Sequence, residues 1–150
     1  TRRLESITAR HGLKLHHTEL NSADNPISKL SPVVEQSDLF VAIPDSANLN
    51  RAFAKWILYL GYRQKIPVIG FSKSYTKAGA VASIHTSPEN AGRQAGELIS
   101  RWLFKKDASV WRTHSPAYFT VTFNPAVARA LGVELPDVLT VTETLTRMEP

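Results

Sequence analysis

The sequence predicts an α/β domain with a mainly parallel sheet, of the three-layer α/β/α kind. Three observations carry that expectation. Short apolar runs, LFVAI (Leu39–Ile43) and IPVIGF (Ile66–Phe71), alternate with segments of helical periodicity. Both runs are apolar throughout rather than at every second residue, as in strands covered on both faces. Asn or Ser followed by Pro recurs at Asn25-Pro26, Ser87-Pro88 and Asn124-Pro125, the residue pair of a helix N-cap and first turn.

Taken in order, Leu4 to His11 reads as the end of a helix closed by Gly12 in a left-handed cap. LKLHHTEL, Leu13 to Leu20, alternates and is expected as a strand. Asn25-Pro26 opens a helix over Ile27 to Gln36, which Pro32 is expected to kink or shorten. Leu39 to Ile43 is the first buried strand. In the clearest helix, Leu49 to Tyr62, the residues Leu49, Ala52, Phe53, Trp56, Ile57 and Leu60 form one apolar face. Leu58, Tyr59 and Tyr62 lie off that face, so a second cover on the helix is expected. Ile66 to Phe71 and Ala80 to Thr86 are the next strands. Ser87-Pro88 starts a helix to Phe104 with Ala91, Ala95, Leu98 and Trp102 on one side. An irregular connector, KKDASVWRTHSP, leads to the alternating strand Tyr118 to Asn124. A helix from Pro125 to Gly132 follows, and the tail from Leu135 reads as a weaker helix or extended segment.

Composition narrows the function. The 150 residues are 43% hydrophobic and carry a formal charge of +5. Lys and Arg are scattered rather than gathered into a basic arm, so no nucleic-acid partner is expected. With no cysteine there is no disulfide framework, thiolate metal site or Cys nucleophile. The phosphate-loop, dinucleotide, nucleophile-elbow and zinc-protease motifs are all missing. The five histidines lack metal spacing; His16 and His17 are adjacent on an expected strand and so point to opposite faces, and a lone strand histidine is expected as a surface or satisfied core residue rather than a ligand. No catalytic constellation stands out, so the chain is expected to be no enzyme and to need no cofactor or metal. No run approaches the ~20 apolar residues of a membrane span. The chain does not begin with Met and reads as a processed or truncated product, with no signal peptide within it.

What remains is a pair of polar strand tips. Asp45-Ser46 follows the first apolar strand, and Ser72 to Tyr75 follows the second, with Gly79-Ala80 beyond it. Carboxyl ends of parallel strands are where open α/β sheets bind ligands. The same residues also suit helix capping and turns, and spacing alone leaves both readings open.

The ordered set of motifs decides more. An Asp38 strand ending in Pro44-Asp45, then IPV, then S-x-x-Y-x-x-A-G-A from Ser72 to Ala80, then GRQAGEL (Gly92–Leu98), then N-x-x-x-A-x-x-L-G from Asn124 to Gly132 resembles the C-terminal part of ABC-transporter substrate-binding proteins. The branch is the one with tryptophan- and tyrosine-binding members, of the type I periplasmic-binding-protein fold. The resemblance covers Leu4 to Pro136. It implies one lobe, residues 1–150, of a two-lobe protein that closes on a small polar ligand, with an amino acid as one candidate, and hands it to an ABC permease. It implies a periplasmic or cell-envelope location. It also implies ligand-facing roles for Asp45, Ser46, Ser72, Tyr75, Gly79 and Ala80: Asp45 toward an ammonium, Ser46 and Ser72 toward a carboxylate or hydroxyl, Tyr75 over an aromatic or apolar group. Residues 87–117 would pack on the absent N-terminal lobe, or be covered by a homodimer or segment exchange. A ligand-sensing domain of the same fold, feeding a signalling partner, is the alternative. A receiver-like domain using Asp45 is disfavoured, because LKLHHTEL lacks the acidic pair such a site needs.

Overall fold

The computed structural model describes residues 2–21, 23–44 and 51–148, in two compact units, Thr1–Val68 and Ile69–Pro150. The α/β class expected from the sequence holds, with a four-stranded sheet of strand order β1-β2-β3-β4.

In the first unit, α1 (Arg2–Arg10) ends at Gly12, whose φ of +67° is the left-handed cap expected there. Leu13 to Leu20 is not a strand. Alternation gives it two faces, but a strand also needs a hydrogen-bonding neighbour, and none pairs with it among the described residues. In α2 (Pro26–Glu35) the Asn25 side chain accepts from Ile27 N at 2.9 Å and Pro26 starts the first turn. The helix continues through Pro32, which removes one intrahelical bond without ending it. Leu30 and Val34 are buried, and α2 packs on α3 (Arg51–Gln64). Phe53, Ile57 and Leu58 of α3 join them in the core, and full burial of a side chain such as Ile57 is worth roughly 1.5–3 kcal/mol. Tyr59 and Tyr62 lie on the open side of α3. Gly61 is required by close approach: a Cβ there would stand 2.7 Å from Ile66 O and 2.9 Å from Val68 Cγ2. β1 is short (Phe40–Val41); Phe40 N donates to Pro67 O at 2.9 Å. Val41 is 54% exposed and Ile43 55%, so this apolar run is not covered on both faces.

In the second unit the sheet is mixed. Following β2 (Val68–Gly70), β3 (Ala82–His85) pairs parallel to it, with Ile69 opposite Ala82 and Gly70 opposite Ser83. The short helix α4 (Lys73–Ala78) lies between them in sequence and packs on β3. The chain then leaves through α5 (Pro88–Lys105) and a single 3-10 turn (Ala108–Trp111). It returns beside its point of departure, where Thr86 Oγ1 donates to Tyr118 O at 2.6 Å. That return reverses direction, so β4 (Thr120–Phe123) is antiparallel to β3. Helix α6 (Pro125–Leu131) is capped by Asn124 Oδ1 on Val127 N at 3.1 Å and closed by Gly132 at φ +71°. The tail forms α7 (Val138–Met148), packed against β4, with Asp137 accepting from Thr140 N at 2.9 Å. Val81, Ala82 and Ala128 form the core here, with Ile69, Phe123, Val127 and Leu135 against them. No residue of α5 is buried; Ile99 and Leu103 are exposed and Phe104 is 84% exposed.

Candidate ligand-binding rim

The rim is built where β2 ends. After Gly70 the chain stays extended through Ser72 (φ −151°, ψ 154°) and then turns into α4. Ser72 occupies the N-cap position, yet its side chain makes no cap hydrogen bond. The other described polar caps behave differently. Asn25, Ser87, Asp107 and Asn124 each accept from a backbone N–H of the first turn, at 2.9, 3.2, 2.9 and 3.1 Å. The Ser72 hydroxyl, half-buried at a strand tip, is therefore uncommitted to the helix it precedes.

Tyr75 lies one turn into α4 and is only 7% exposed. Its side chain fills the space that a Gly70 Cβ would need, which is why glycine stands at the end of β2. Its ring centroid is 4.9 Å from that of Phe71. The ring is thus packed within its own unit, and the polar end is what remains: Tyr75 Oη is buried with no hydrogen-bond partner among the described residues. Burial pushes the phenol pKa up, so it stays protonated at neutral pH.

Gly79 ends α4 at φ +127°, a backbone conformation that L side chains rarely adopt, and its N–H donates to Thr76 O at 3.3 Å. Ala80 is fully buried; its N–H donates to Tyr75 O at 2.9 Å. These two residues shape the turn behind the rim. Below it, Thr76 Oγ1 and Ser83 Oγ share a buried 2.6 Å hydrogen bond, and Asn124 Nδ2 donates to Thr76 O at 2.9 Å, fixing α4 to β3 and to the start of α6.

Of the residues expected from the sequence, Ser72, Tyr75, Gly79 and Ala80 are brought together around α4. Asp45 and Ser46 lie outside the described residues. His85, one of the five histidines without metal spacing, stands at the last position of β3, half-buried, with Nδ1 buried and without a hydrogen-bond partner among the described residues. Its place on the rim follows from strand register, which no local pattern around His85 announces. No group of three or more His, Cys, Asp or Glu suited to a metal occurs among the described residues.

A second polar cluster holds the passages out to α5 and back. Gln94 Nε2 donates to Ser115 O at 2.8 Å and its Oε1 accepts from Ala117 N at 3.0 Å. Tyr118 Oη donates to Glu97 at 2.8 Å, Arg93 bonds Glu97 at 3.1 Å, and the Arg93 guanidinium sits 4.1 Å from the Tyr118 ring centroid. The Tyr118 hydroxyl, with Arg93 adding to it, holds the Glu97 carboxyl below its ordinary range.

The sequence pattern of the family described as ABC transporter substrate binding protein matches residues 1–146. No curated protein matches the chain at a significant level. Three solved structures share its fold. A conserved domain protein from Vibrio cholerae is 24% identical with a TM-score of 0.64, over 93% of this chain and 47% of that one. The ligand-free, open form of a substrate binding protein with adhesive properties from Clostridium difficile is 20% identical with a TM-score of 0.63, over 91% and 45%. An ABC domain in complex with L-Trp from Streptococcus pneumonia is 16% identical with a TM-score of 0.61, over 95% and 48%. The chain spans about half the length of each.

Proposed function

We propose, for a chain that belongs to the ABC transporter substrate binding protein family, the role of one lobe of a two-lobe solute-binding protein serving an ABC importer. The family is one of binding proteins, not of catalysts. The ligand is a small polar molecule, with an L-amino acid as the class to test first because one fold relative is described in complex with L-Trp. The observation that carries the reading is Ser72. A serine at an N-cap that leaves its hydroxyl free is available to a ligand, where a serine kept only for capping would close the bond as Ser87 does. Asp45 and Ser46 are proposed as ligand groups on the family resemblance alone.

In this reading the location is outside the cytoplasm, an ABC permease receives the ligand, and residues 87–117 pack on the other lobe. The open apolar residues of α5, Ile99, Leu103 and Phe104, favour such a cover. A thermal-shift series on the full-length protein with L-amino acids and small organic acids tests the role. A ligand at about 100 times its dissociation constant adds about 2.7 kcal/mol of stability, a shift easily read. A flat series from folded protein would contradict the solute-binding role.

A further inference from the structure

Two buried polar atoms of the Ile69–Pro150 unit lack a hydrogen-bond partner among the described residues, Tyr75 Oη and His85 Nδ1. Topology puts both on one face of the sheet. Register partners project their side chains to the same face, and successive strand residues alternate. Gly70 is opposite Ser83, Tyr75 fills the space above Gly70, and Ser83 bonds Thr76 of the same helix. His85 is two residues beyond Ser83, hence on that same face and about 7 Å further along the strand. Because β2 and β3 run parallel, this is the end at which β2 delivers Ser72.

We infer that His85 is a further ligand-contacting residue of the Ser72 rim, its imidazole hydrogen-bonding an acceptor oxygen of the ligand such as a carboxylate or hydroxyl presents. The inference rests on the solute-binding role proposed above. His85 as a residue is half-buried, and its Nδ1 is buried. A half-turn about χ2, a broad two-fold torsion, exchanges Nδ1 with a ring carbon and carries the nitrogen to the opposite edge of the ring. Among the described residues the Thr76 and Ser83 hydroxyls are committed to each other, Asn124 is held by Thr76 O and Val127 N, and Tyr75 Oη makes no hydrogen bond to the imidazole. A buried nitrogen without a partner costs free energy in the empty protein, and an acceptor oxygen at the rim recovers it only in the bound state.

The test is equilibrium titration of the full-length protein with each of the twenty L-amino acids, for the wild type, His85→Leu and His85→Asn. The asparagine places an amide close to the position of Nδ1. The expected result is binding by the wild type, five- to twentyfold weaker binding by His85→Leu, and recovery to within about threefold by His85→Asn. The melting temperature without ligand should not fall in either variant, since the imidazole has no hydrogen bond to lose, and in His85→Leu it should stay unchanged or rise. Equal affinity in wild type and His85→Leu would overturn the inference alone. So would an equal loss in both variants with a lowered melting temperature, the mark of a packing role. A wild type that binds none of the twenty would overturn the inference together with the amino-acid reading beneath it.

Discussion

Ser72 and Asn124 occupy the same kind of position before a helix and use their side chains in opposite ways. Asn124 spends both ends, capping α6 through Oδ1 and holding Thr76 O through Nδ2. Asn124→Ala should cost about 2 kcal/mol, a lost cap plus a lost partly buried hydrogen bond, read by denaturant unfolding. Ser72→Ala removes no such bond, and its stability should stay within about 0.5 kcal/mol of the wild type. Tyr75→Phe deletes a buried hydroxyl that has no partner, so it should leave stability unchanged or raise it by up to about 1 kcal/mol. A clear loss in Tyr75→Phe would mean that the hydroxyl is satisfied within the protein.

At the scale of elements, the helix starts at Asn25, Ser87 and Asn124 were legible because capping is local chemistry written in two adjacent residues. Strands were less so. LKLHHTEL has the right alternation and no neighbour to pair with among the described residues; LFVAI is apolar throughout and yields two strand residues with an open side. The direction of β4 depends on where the long excursion through α5 comes back, which long-range contacts such as Thr86–Tyr118 and Gln94–Ala117 disclose. The rim followed the same division. Ser72, Tyr75, Gly79 and Ala80 sit in one contiguous motif, whereas His85 joins them through the Gly70–Ser83 register. The excursion itself carries a pH dependence. The Glu97 carboxyl titrates below its ordinary value in the folded chain because Tyr118 and Arg93 favour its charged form. Its contribution is therefore present above the ordinary carboxylate pKa and is lost as pH falls through the lowered folded value. Amide exchange near Tyr118 should quicken on acidification through that window, after correction for intrinsic rates, and Glu97→Gln should remove the dependence.

At the scale of the molecule, the family pattern spans residues 1–146, while each of the three solved relatives is about twice as long. Under the proposed two-lobe reading, that difference bears on helix α5. It is 18 residues long and none of them is buried, although its apolar residues would fill a helix-packing face. With the proposed second lobe in place, the amides at the centre of α5 should exchange at least tenfold more slowly than in residues 1–150 alone. Equal exchange in the two would remove the proposal that the other lobe covers this face, and a concentration-dependent slowing in the short chain would indicate a second copy instead.

In the proposed role the Ser72 rim binds a small solute. Calorimetric titration of the full-length protein, wild type beside Ser72→Ala, tests it most directly. The wild type should show saturable one-to-one binding of an amino acid or small organic acid, weakened roughly five- to tenfold in Ser72→Ala by the loss of one hydrogen bond, with unliganded stability preserved. Affinity that is identical in the two proteins, together with a stability loss of about 1 kcal/mol in the variant, would show a helix cap and no binding site.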